Sequence, residues 1–124
     1  MTRTYQNIRI TILQSKKRIN TVVHHTIVET YWQIGKYIVE EEQNGQNRAT
    51  YGKALIANLA GKLKEEFGSG YDSSNLWKMR KFYLAFPILD ALRPELSWTH
   101  YRILLRVENE KARQLQKQLS QANQ

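Results

Sequence analysis

The chain has no cysteine, only two prolines and no long apolar run, and each shortage removes a class of answer. Without cysteine there is no disulfide framework and no thiolate zinc site or nucleophile. Nowhere do the roughly 18 consecutive apolar residues needed to cross a bilayer occur. Residues Met1 to Ser15 alternate charged and apolar side chains and lack the unbroken apolar centre of a secretion signal. These features predict a soluble, cytoplasmic protein. Clean alternation of apolar and polar residues is also missing, so no sheet is predicted. What remains is one domain's worth of chain, 124 residues, 41% hydrophobic and 24% charged. Lys and Arg outnumber Asp and Glu by 19 to 11, a net charge of +8 that favours polyanionic partners.

Catalytic patterns are equally scarce. There is no Gly-x-Ser-x-Gly elbow, and Gly68 and Gly70 do not follow a strand as a phosphate-binding loop requires. Asp72 and Asp90 lack the neighbouring Glu-x-Lys pattern of metal-dependent nucleases. His24 and His25 point about 100° apart on a helix. His25 and Glu29 share a face, but two ligands without a third make a poor metal site. Neither a catalytic residue, a metal nor a cofactor is predicted. The run Glu40-Glu41-Glu42 reads first as a solvated helix face; near a helix C-terminus it opposes the dipole, which points to local function or a salt partner.

Apolar spacing is helical almost throughout, interrupted at Asn44–Asn47, Gly68–Gly70 and Pro87–Pro94. Tyr5, Ile8, Ile12, Ile19, Val23, Ile27, Tyr31, Ile34 and Ile38 follow one another at helical steps. One helix of that length would span about 60 Å, nearly twice the width of a compact chain of this size. A break near Asn20-Thr21 is therefore expected; otherwise one end projects and pairs with another copy. Gly35, inside the stripe, implies close approach of a neighbouring helix. A second helix carries Leu55, Leu59, Leu63 and Phe67. A third follows the capping residues Asp72-Ser73-Ser74, buries Leu76, Met79, Tyr83 and Phe86, and stops at Pro87. Ser97 caps a fourth, Asn109 a fifth, and the Gln-rich residues from Gln114 fray. The expected architecture is an all-α, compact domain of about five helices over residues 1–113, helix-turn-helix-like with room for a small wing, followed by a tail at 114–124.

The third helix carries the one functional cluster. Trp77 and Lys81 lie four apart and are expected to face away from the buried stripe, flanked by Lys78 and Arg80. Cations of this kind hold phosphates, while polar groups nearby reach base edges. With the preceding helix and the glycine turn, this one is placed as the reader of a helix-turn-helix. Phosphate contacts are assigned to Lys78, Arg80, Lys81, Arg102 and Lys62, with Ser73, Asn75 and Trp77 nearest the bases. Arg106, four beyond Arg102, extends the strip. The same cluster also reads as a solvated basic face with Trp77 packed against another helix.

Several strings recur together: Tyr31-Trp32-Gln33-Ile34-Gly35-Lys36, Tyr51-Gly52-Lys53, Leu63-x-x-x-Phe67-Gly68, Ser74-Asn75-Leu76 with Met79-Arg80-x-Phe82-Tyr83, and Leu96-Ser97-Trp98-Thr99-His100-Tyr101. Their order and spacing, over about residues 5 to 113, resemble the N-terminal domain of the YhcG-like nuclease-associated family. There a helical domain of unknown function precedes a PD-(D/E)XK-type nuclease domain. The acidic and lysine residues of that nuclease have no counterpart here. The resemblance thus implies a targeting or assembly role, with cleavage carried by a further domain or subunit. Two functions compete: a non-catalytic module that binds nucleic acid, double-stranded DNA foremost, and a protein-interaction or homodimerisation module. The second rests on the Tyr5–Ile38 stripe and the Leu115/Leu119 seam.

Overall fold

The computed structural model describes residues 2–45 and 48–122, and these are all-α: no strand, and so no wing, occurs among the described residues. Four helices run in chain order, α1 (Thr2–Gln43), α2 (Arg48–Phe67), α3 (Ser73–Ala85) and α4 (Trp98–Ala122). Short 3₁₀ turns at Ser69–Tyr71 and Leu89–Ala91 lie in the α2–α3 and α3–α4 connections. Asn44 and Gly45 follow α1; Gln46 and Asn47, the rest of that expected interruption, lie outside the described residues.

Two expectations are corrected. The break at Asn20-Thr21 does not occur: α1 is a single helix of 42 residues, about 60 Å long. Neither Gly nor Pro occurs before Gly35, and the Thr21 hydroxyl donates to the Lys17 carbonyl four residues back at 3.0 Å. Thr11, Ser15, Thr26 and Thr30 do the same, so residues that often start turns satisfy themselves inside the helix. Likewise Asn109 caps nothing. The helix begun at Trp98 runs through it to Ala122, giving four helices rather than five, because no glycine or proline follows Pro94 to stop it.

The core is built where α3 crosses the second half of α1. Gly35 is buried there, and a Cβ on it would lie 2.1 Å from the Met79 carbonyl oxygen, so only hydrogen lets the two backbones come this close. On one side of the crossing Val28, Trp32, Phe82, Leu92 and Tyr101 are buried together. On the other side Ile38, Ile56, Ala60, Leu76 and Met79 form a second cluster, and Trp98 touches both. Phe82, between two stripe positions that the periodicity identifies, is fully buried and stacks at 4.8 Å on Tyr101. The Trp32 indole donates to the Phe86 carbonyl at 2.6 Å, and the Tyr101 hydroxyl accepts from the Arg93 N–H at 2.9 Å. These two bonds pin the Pro87–Pro94 segment across the aromatic core. Tyr31 meets Trp98 and Tyr71 edge-on; burial pushes its phenol above the usual tyrosine value, and the neighbouring Tyr71 adds to the shift.

Everything before Val28 is outside this core. From Thr2 to Ile27 no α1 side chain is buried. The far half of α4 is exposed as well, with Leu115 and Leu119 more than half exposed.

Candidate nucleic-acid interface

Two capped helix starts fix the directions of α3 and α4. Asp72, in extended conformation, accepts the Asn75 backbone N–H on its Oδ1 at 2.9 Å and so begins α3. Before it, Gly68 takes φ 101°, the one described positive value, and turns the chain out of α2. At the start of α4, Ser97 and His100 cap each other. The Ser97 N–H donates to His100 Nδ1 at 3.0 Å, and the His100 N–H points back to Ser97 Oγ at 3.4 Å. This is a capping box with imidazole in the place of the usual carboxylate or amide.

Phe82 of α3 and Phe86, which follows that helix, pack on Trp98 and Tyr101 of α4. Beside that contact the two helices enclose a cleft of about 200 Å³ lined by Lys78, Lys81, Arg102, Leu105, Arg106 and Asn109. Lys78 and Lys81 are three apart and Arg102 and Arg106 four apart, so each pair occupies one face of its helix. Leu105 packs against the aromatic core. No carboxylate lines the cleft, and none of its four cations forms an ion pair among the described residues. Four like charges around one small concavity raise a positive potential that an anion relieves.

The other expected contact residues lie elsewhere. Arg80 turns to the opposite side of α3, where its Nε meets Glu42 Oε1 at 2.7 Å and its guanidinium lies 5.3 Å from the Trp77 ring centre. Glu42 is 9% exposed, and its carboxylate lies beside buried Gly52 of α2. Trp77 is half-buried against the Ile38–Met79 cluster, so it does not share an outward face with Lys81. Ser73 and Asn75 are at the start of α3, exposed and half-buried in turn. Lys62 is exposed on α2 and does not line the cleft. Of the assigned cations, then, Lys78, Lys81 and Arg102 converge, joined by Arg106. Asn109, read as a cap, instead lines the cleft. Periodicity separates buried from exposed faces of α3, but which exposed cations face α4 depends on a crossing that only the fold defines.

His25 Nε2 and Glu29 Oε1 are 2.6 Å apart, yet no group of three or more metal-ligating side chains occurs among the described residues. No described helix is long and apolar enough to cross a membrane.

The model of one known family, the DUF1016 N-terminal domain, matches residues 7–124. The chain belongs to that family. Over 86 residues, 66% of this chain, it is 42% identical to "Putative nuclease YhcG" of Escherichia coli (strain K12). That stretch covers 23% of the relative's length. No solved structure matches the chain. The similarity to the nuclease-associated family drawn from the strings around Trp32, Tyr51, Phe67, Met79 and Trp98 agrees with both matches.

Proposed function

We propose that this domain is a non-catalytic module that binds nucleic acid, double-stranded DNA in particular, for a nuclease system. The observation that carries this reading is the carboxylate-free cleft between α3 and α4, with Lys78, Lys81, Arg102 and Arg106 around it. Backbone phosphates occupy the cleft, and α3 acts as the reader of a helix-turn-helix-like pair with α2. Ser73 and Asn75, three to eight residues before the cleft lysines, are the side chains nearest the bases, about 5 to 12 Å away along the axis at 1.5 Å per residue. The net charge of +8 supports the same partner. The name of the similar protein, "Putative nuclease YhcG", supports a link to nuclease action; the role assigned to this domain is targeting, with cleavage carried by a separate domain or subunit.

The test is anisotropy of a labelled duplex with the K81E/R106E variant. Both side chains are exposed, so helical content should stay unchanged while affinity falls at least about tenfold, as expected when two phosphate contacts are reversed. Undiminished binding by the folded variant would remove the cleft from the interface. Sequence alone suggests R80E/K81E for this purpose, but R80E sets a second carboxylate against Glu42 and confounds folding with binding.

A further inference from the structure

The first half of α1 is a surface without a partner in its own chain. Between Tyr5 and Ile27, nine large apolar side chains are 38 to 63% exposed. Tyr5, Ile12, Ile19, Val23 and Ile27 fall within a strip about 80° wide, and Ile34 continues it into the folded domain. Trp32 and Val39 point the opposite way, toward α3. A contiguous exposed apolar strip of this kind marks an interaction surface. A solitary helical arm also gains little from propensity alone.

Where the strip meets the domain, it borders an open apolar groove of about 580 Å³ between α1 and α2, lined by Ile34, Tyr37, Ile38, Leu55, Leu59 and Leu63. Glu40 and Glu41 also line it. Charge divides along α1 in the same sense. Arg3, Arg9, Lys16, Lys17 and Arg18 occupy the first half with no acidic residue before Glu29. Among the glutamates of the second half, Glu29, Glu40 and Glu42 have basic partners. Glu41 has none among the described side chains and accepts only the Tyr51 hydroxyl at 2.5 Å. Arg9 and Glu41 both lie on the apolar strip.

We infer that two copies of this chain form an antiparallel, two-fold dimer in which the first half of each α1 lies in the α1–α2 groove of the other. The register that sets Arg9 against the partner's Glu41 also brings Ile12 to the α1–α2 groove and sets Val23 against Ile27. The axis then passes between Val23 and Ile27, and both arms are covered by one isologous contact. This inference stands apart from the α3–α4 cleft and holds with or without nucleic acid.

The chain has no cysteine, so introduced thiols report the register cleanly. Sedimentation of the full chain should give a dimer at micromolar concentration, and I12D/I19D, altering two exposed side chains, should give a monomer with the Trp32–Tyr101 core intact by near-ultraviolet dichroism. R9E should weaken the dimer at least about tenfold, and R9E/E41R should restore it. On oxidation, R9C mixed with E41C should cross-link, whereas R9C alone should not. A monomeric wild type, a dimer that survives I12D/I19D, or efficient R9C–R9C cross-linking, which requires parallel arms, would each overturn the proposal.

Discussion

At Gly35 an added methyl group would sit 2.1 Å from the Met79 carbonyl oxygen and 3.0 Å from the Tyr83 Cβ, both fixed parts of α3. Gly61, exposed within α2, has nothing within 4 Å of the same position. The two substitutions should therefore have opposite signs. Gly61→Ala should stabilise by about 0.5–1 kcal/mol through helix propensity. Gly35→Ala should lose about 2–3 kcal/mol or more by forcing the helices apart, and urea unfolding measures both. Arg80 offers a second contrast at this scale. A basic residue on an otherwise cationic helix suggests a phosphate ligand, yet its partner is the nearly buried Glu42. Arg80→Ala should cost roughly 3 kcal/mol by leaving that carboxylate uncompensated, and E42Q/R80A should recover part of the loss. A cost within error of zero in chemical denaturation would mean that the pair is solvated.

Among the elements, α4 controls the cleft because it brings Arg102 and Arg106 to α3. Its direction is set at its first turn by the Ser97–His100 cap and by Trp98 and Tyr101 in the core. Ser97→Ala should lower stability by about 1 kcal/mol, visible as a shifted urea midpoint with unchanged slope. The helices themselves were legible from spacing, as were Asp72 and Ser97 as starts, Pro87 as a stop and the close approach at Gly35. The continuity of α1 was not. Compactness argued for a break, but nothing in Ile19–Val23 supplies one, and helical hydrogen bonding wins where no breaker interrupts it. Asn109 misled in the same way: a good capping residue marks a helix start only when the preceding turn has already ended. Arg80 and Trp77 belonged to the right helix but the wrong side, because the partner that draws Arg80 inward is 38 positions away in the chain.

For the whole molecule, the fold separates two surfaces with different chemistry. One is the cationic cleft held by α3 and α4; the other is the long apolar strip of α1 that ends at the α1–α2 groove. Between them lies an aromatic core that fixes the cleft's walls but leaves most of α1 and the far half of α4 outside. The similarity to "Putative nuclease YhcG" covers 23% of that protein's length, and binding is the contribution proposed for this domain from its surface chemistry. Salt dependence tests that most directly. Binding of a duplex should weaken linearly on a log–log plot against salt, and K81A/R106A should reduce the slope by about 1.8, since each lost phosphate contact removes about 0.9. A slope identical for wild type and variant would contradict the assignment of the α3–α4 cleft as the nucleic-acid interface.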